Sequence, residues 1–153
     1  MSIGSSLRIS TSALNAERLR MDVVANNVAN ARSTHTPEGG PFRREEVVFA
    51  AADGSPFGAI LSRLARGGAG GGGAIEGGVT VAGIVDDTST PFRRVHEPGN
   101  PDADANGDVL YPNVDMVREM TDMVSAVRSY DANATVVQNL KSMAQRALEI
   151  GNR

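Results

Sequence analysis

The residues best placed to do chemistry lie between positions 102 and 108, where Asp102, Asp104, Asn106 and Asp108 alternate around Gly107. Oxygen ligands at the first, third and fifth positions followed by glycine at the sixth open a calcium-binding EF-hand loop. The rest of that loop is missing. Its twelfth position is Asn113 instead of a bidentate glutamate, and Pro98-Gly99-Asn100-Pro101 stands where the entering helix belongs. The segment reads instead as a turn-forming acidic loop. Gly68, Gly70 and Gly73 satisfy G-x-G-x-x-G only because nearly every residue there is glycine, and no Lys-Ser or Lys-Thr follows to build a phosphate cradle. His35 and His96 are too few for a metal triad, and without cysteine or a G-x-S-x-G element there is no recognisable nucleophile assembly. Carboxylates scattered through polar loops are a weak basis for glycosidase chemistry. No catalytic, cofactor-binding or metal-binding residue is assigned, and the chain is not expected to be an enzyme.

The elements that would position such residues are concentrated at the two ends. Leu7, Leu14, Met21 and Val28 recur every seven residues, with Ile3, Ser10, Val24 and Ala31 at the intermediate heptad position. Near the other end Met116, Met120, Met123, Val127, Tyr130, Ala134, Val137, Ala144 and Leu148 follow steps of four and three, interrupted by Lys141. Each stripe has the spacing of a coiled-coil seam. The first helix is expected from Ser5 or Ser6, whose hydroxyls suit an N-cap, to about Ala31. The second is expected from an Asn113 or Asp115 cap to about Ile150, where Gly151 stops it.

Between them Pro41 to Ala50 reads as turn into strand, Val79 to Val85 as a second strand and Phe92 to His96 as a third, while Pro98 to Pro112 carries turn signals. Residues 66–78 are a Gly-rich stretch that holds one conformation only at high entropic cost, so a flexible loop is expected. The fold class is thus mainly α with a small β region, organised as an N-terminal helix (1–32), a β and loop middle (33–111) and a C-terminal helix (112–153).

With four Phe, two Tyr, no Trp and 17 Gly in 153 residues, a large conventional core is not expected. Pairing the two helices within one chain covers one side of each, so neighbouring subunits are expected to cover the remainder. Four methionines in the second helix suit contacts with non-identical neighbours, because an unbranched thioether adapts to irregular gaps, although ordinary core filling explains them as well. Basic and acidic residues number four and two over 1–32, six and eleven over 33–111 and five and five over 112–153, so no segment offers the basic patch that nucleic acid requires. Polar residues interrupt the N-terminus throughout and no 18-residue apolar run exists, which argues against a cleaved signal peptide and against membrane insertion.

Ser12 to Phe49, with Ala25-Asn26-Asn27-Val28-Ala29-Asn30 at its centre and Thr36-Pro37-Glu38-Gly39-Gly40-Pro41-Phe42-Arg43-Arg44 after it, resembles the signature of bacterial flagellar axial proteins, the family of rod and hook subunits. The second of these blocks resembles the proximal-rod type in particular. Further agreement comes from Gly83-Ile84-Val85, Pro91-Phe92-Arg93, Pro98 to Asp104, Tyr111-Pro112-Asn113-Val114, Glu119-Met120, Tyr130, Asn133 and Ala147 to Gly151. The stretch from Asp53 to Gly78 departs, being longer and richer in glycine than the family pattern.

The resemblance implies that the terminal helices form the coiled-coil-like domain called D0 in that family. It implies a structural subunit of the basal-body proximal rod, assembling helically with other rod proteins and further copies of itself to transmit motor torque. It implies export through the flagellar type III apparatus to the periplasmic rod of the flagellum, with no cofactor and no catalysis. A different rod or hook component is the alternative within the family, and a wall-active or calcium-binding accessory the alternative outside it. Leu7, Leu14, Met21, Asn26, Asn27, Val28 and Asn30 on the first helix, with Met120, Met123, Val127, Tyr130, Val137 and Leu148 on the second, are the expected assembly interface. For the asparagines two readings stand. Asn30 ends the helix while Asn26 and Asn27 are solvated, or their carboxamides bond across subunit or loop interfaces and fix register.

Removing Gly71 to Gly73 is expected to leave assembly intact, since shortening a flexible loop changes its closure free energy by only about tenths of a kcal/mol. Motility lost with export unchanged would show that run to be a contact surface.

Overall fold

The computed structural model describes residues 3–37, 39–52 and 77–151. Its elements are α1 (Ile3–Ala29), β1 (Glu45–Ala51), β2 (Val79–Asp86), β3 (Arg93–His96), β4 (Asp108–Tyr111) and α2 (Met116–Gly151). The Gly-rich loop expected over 66–78 lies outside the described residues as far as position 76. No helix among the described residues is long and apolar enough to cross a membrane.

The first helix starts at Ile3, so Ser5 and Ser6 stand inside its first turn instead of capping it. It ends at Ala29, two residues before the expected Ala31. Asn30 closes it: its backbone N–H donates to the Asn26 carbonyl at 3.0 Å and its carboxamide to the same carbonyl at 3.1 Å. The second helix does begin where an acidic cap was expected, with Asp115 Oδ1 accepting from the Val117 N–H at 2.9 Å. Asn113, the other candidate cap, is used elsewhere.

Among the described elements the most extensive packing joins α1 to α2. It is lined by small and polar side chains: Ser10, Ala16, Val23, Val24 and Asn27 are the buried residues of α1, facing a second helix on which Glu119 and Ala126 are buried. Small contact residues let two helix axes approach closely. The first heptad stripe read from the sequence therefore does not form the centre of this packing. Leu7, Leu14, Met21 and Val28 are only half-buried, whereas Ser10 and Val24, from the intermediate heptad position, lie within it.

The middle of the chain makes two separate two-stranded antiparallel sheets, β1 with β2 and β3 with β4. In the first, Glu45 pairs with Asp86 and Ala51 with Val79, and the register shifts between Val48 and Phe49. Both strands pack on α1. A polar tie fixes that contact: Ser12 Oγ accepts from the Val79 N–H at 3.0 Å while donating to the Ile9 carbonyl at 2.7 Å. In the second sheet β4 is a strand where only turn signals were read. Asp108 to Tyr111 is four residues between a glycine turn and Pro112, too short to show period-two alternation, yet its Val109 is 1% exposed.

The acidic loop is the turn that joins β3 to β4. Asp104 accepts from its own loop, from the Asn106 N–H at 2.8 Å and the Asp108 N–H at 3.0 Å, and Gly107 takes a φ of +80° to complete the reversal. Those bonds, the Asp108 amide first and the Asn106 amide second, hold the Asp104 carboxyl below its ordinary pKa. Asp102 accepts from the Thr34 hydroxyl at 2.6 Å, tying the loop to the segment after α1.

Gly78 has a φ of +153°, and a Cβ there would lie 2.8 Å from Ser12 Oγ. Gly78→Ala should therefore destabilise the chain by about 1–3 kcal/mol, read as a lowered denaturation midpoint. Adding Ser12→Ala to that variant should recover part of the loss, and a midpoint unchanged by Gly78→Ala would refute the Ser12 contact.

Candidate assembly interface

Where α1, β1 and α2 meet, three side chains, Asn27, Arg44 and Glu119, close a polar junction with almost no water access. Glu119, in the first turn of α2, is 0% exposed; its Oε1 accepts from Arg44 Nε at 2.6 Å and its Oε2 from Asn27 Nδ2 at 3.1 Å. Arg44 precedes β1 and is 5% exposed, with its terminal nitrogens 3.4 Å from Glu46 Oε2 and 3.4 Å from Asp122 Oδ2. Asp122 in turn faces Arg20 of α1 at 3.7 Å. Burial works against the Arg44 charge, but the bond to Glu119 and the attraction of Glu119, Glu46 and Asp122 outweigh it, so its pKa is raised above the ordinary arginine value.

Asn27 joins this ion pair to the backbone. Its Nδ2 donates to the Glu45 carbonyl at 2.8 Å and its Oδ1 accepts from the Glu45 N–H at 2.9 Å. The carboxamide thus bonds the first residue of β1 as a neighbouring strand would. Because Glu119 can only accept and the Glu45 N–H can only donate, the orientation of the amide follows from its partners. Asn113 does the same one residue earlier, accepting from the Arg44 N–H at 2.8 Å and donating to the carbonyls of Asp87 and Thr90 at 2.9 and 3.1 Å. The Asp87 N–H returns a bond to the Arg44 carbonyl at 2.8 Å. The buried side chains of Asn27, Arg44 and Glu119 thus all have polar partners.

The expected interface residues divide around this junction. Asn27 is at its centre, Asn26 reaches Glu45 Oε2 at 3.3 Å, and Asn30 bonds Asn26 Oδ1 at 2.9 Å and accepts from Ser33 at 3.0 Å. Within the chain the three carboxamides bond to loop, strand and helix, so the solvated reading does not hold for Asn27, which is 0% exposed. Leu7, Leu14, Met21 and Val28 are half-buried, as are Met123, Tyr130 and Val137, while Met120, Val127 and Leu148 are exposed. Lys141 is exposed as well.

Arg44, Glu119 and Asn113 were missed as site residues. Arg44 and Glu119 are charged types that ordinarily face water, and their burial is decided by partners 75 residues apart in the chain. The available signal was local. Glu119 falls in the first turn of a helix already capped by Asp115, four residues before Met123 and eleven before Tyr130, so a charged residue stands in line with the apolar stripe.

Near this junction Arg20, Val23, Val24, Val47, Phe49 and Asp122 border an open cleft with a volume of about 220 Å³. On the far side of α2 several large apolar side chains are uncovered, among them Val117 at 74% and Met120 at 57% exposure.

Removing one member of the ion pair leaves the other buried and uncompensated. Glu119→Ala should cost about 3–5 kcal/mol in denaturant unfolding of the purified chain, whereas Arg44→Met combined with Glu119→Leu should cost markedly less than the two changes added. Additive losses would show that the pair is not coupled.

Comparison with known proteins agrees with this architecture. The family model described as flagella basal body rod protein matches residues 7–34, and that described as flagellar basal body rod FlgEFG protein C-terminal matches residues 106–150. The chain is 40% identical over 156 residues to the flagellar basal-body rod protein FlgC of Borreliella burgdorferi, covering 98% of each chain. It is 43% identical to the Bacillus subtilis FlgC, over 95% of this chain and 96% of the relative. It is also 43% identical to that of Salmonella typhimurium, over 94% and 93%. Two terminal helices locked by Asn27 and Glu119, both within matched segments, and near-full-length identity to these relatives agree: the chain belongs to the FlgC family of flagellar basal-body rod proteins.

Proposed function

We propose that the chain is a structural subunit of the flagellar basal-body rod, built into a helical polymer through the apolar faces that its own helix pairing leaves open. The observation that carries the assembly reading is the uncovered face of α2. Val117, Met120, Val124 and Val127 are exposed along one row of a helix whose opposite face is already packed on α1, and Leu148 and Ile150 are exposed nearer its end. A contiguous apolar helix face in water is unfavourable, and covering it with a neighbour is the common remedy. Leu7, Leu14, Met21, Val28, Met123, Tyr130 and Val137 are half-buried, so part of each side chain is also open to a neighbour.

In this reading the neighbours are further copies and other rod proteins, and the assembled position is the proximal rod in the periplasm. Delivery is by the flagellar type III export apparatus without signal cleavage. The support is the identity to relatives named as rod proteins over nearly their full length. The role is mechanical: the buried junction holds both helices and β1 in one rigid register, which is what a torque-bearing subunit requires. No catalytic step and no cofactor enters it. Fractionation of flagellated cells, followed by identification of the chain in isolated basal bodies, tests the location.

Val28→Asp and Val137→Asp each place a carboxylate at a half-buried position, at a cost on the order of several kcal/mol for each subunit in which a neighbour covers it. Both should abolish rods in isolated basal bodies while secreted subunit persists, and Ala105→Asp, in the exposed acidic loop, should be silent. Normal rods from both valine variants would remove these positions from the interface.

A further inference from the structure

Two features are left unused by the packing of a single chain. The first is the 220 Å³ cleft, lined by Val23, Val24, Val47 and Phe49 together with the charged residues Arg20, Arg44, Glu45, Glu46 and Asp122. The second is the ridge of Val117, Met120, Val124 and Val127 on α2, spaced three, four and three, every member 41% exposed or more. That spacing makes one continuous row over about three turns.

We infer that the cleft of one copy receives the Val117–Val127 ridge of a second copy. Size permits it: an open cleft of about 220 Å³ has room for one side chain such as Met120, whose thioether can lie against Val47 and Phe49 while the charged residues of the lining stay toward water. Methionine, unbranched, adapts to an irregular hole. Charge agrees as well. Arg128, one turn beyond Val124, is exposed and has no carboxylate partner among the described residues, while the Glu46 side chain in the cleft lining is 58% exposed.

A chain cannot satisfy this contact by itself. Asp122 borders the cleft and Val124 belongs to the ridge; two residues along a helix turn the side-chain direction by about 200°, so cleft and ridge lie on opposite sides of α2. The contact is consequently head-to-tail. Each copy offers a free ridge after its cleft is filled, and repetition of a heterologous contact gives an open helical array unless the rotation closes a ring. The inference rests on the rod-subunit reading and adds to it the surface by which like copies meet.

The chain contains no cysteine, so introduced thiols report contacts without background. Cells would co-express a Val47→Cys copy and a Met120→Cys copy, and isolated basal bodies would be mildly oxidised. A disulfide-linked species of twice the chain mass is expected only when both variants are present, and replacing Met120→Cys by Ser142→Cys should abolish it. Assembled rods with no such species, a cross-link to a different protein, or equal yield with Ser142→Cys would each overturn the contact. Independently of thiols, Glu46→Arg and Arg128→Glu should each reduce the number of rods per cell severalfold, and the two together should restore it. Failure of the double variant to restore rods would overturn the pairing. Absence of the wild-type chain from basal bodies would instead strike the rod-subunit reading itself.

Discussion

The Asn27 carboxamide makes three bonds, and the arrangement of the molecule depends on them. Two tie α1 to the first residue of β1 through its backbone; the third reaches the Glu119 carboxylate on α2. Without that amide the buried Glu119–Arg44 pair would lose its third partner, and the backbone of Glu45 would lose both of its bonds to α1. A buried ion pair seldom adds much net stability, because desolvation offsets most of the Coulomb gain, but it tolerates very little displacement. The junction is therefore better understood as a specifier of register between two long helices than as a source of folding energy.

That matters because there is little conventional core to do the same task. The buried apolar residues among those described are Ala16, Val23, Val24, Val109 and Ala126, none of them large. Small contact residues bring the helices close but leave the helix pair free to slide, since one alanine fits against its neighbour much like another. Directional polar bonds remove that freedom. The larger apolar side chains are correspondingly spared for the outside, where they are half-buried or remain uncovered on α2.

Much of this architecture was legible in the sequence. Helical periodicity and the Asp115 cap located both helices, and β-branched runs located β1, β2 and β3, because those signals are local. The β4 strand was not legible, since Asp108 to Tyr111 is too short to alternate and is flanked by turn residues. The centre of the helix pairing was mislocated for a different reason. A heptad count favours large apolar residues such as Leu7, Leu14 and Met21, whereas close approach of two helices favours Ser10, Ala16 and Ala126. The asparagines could be suspected from their poor helix propensity, but the partner of Asn27 lies 92 residues away and nothing local announces it.

The bonds between Asn27 and Glu45 are asymmetric in what they ask of each residue. At position 45 only the main chain takes part, and any amino acid except proline supplies that N–H and C=O. At position 27 the requirement is strict: aspartate lacks the two donors, glutamine is a methylene too long for the same geometry, and alanine offers nothing. A protein engineer transplanting this helix–strand clamp into another scaffold would have to carry a single side chain across and could choose the residue it grips almost at will.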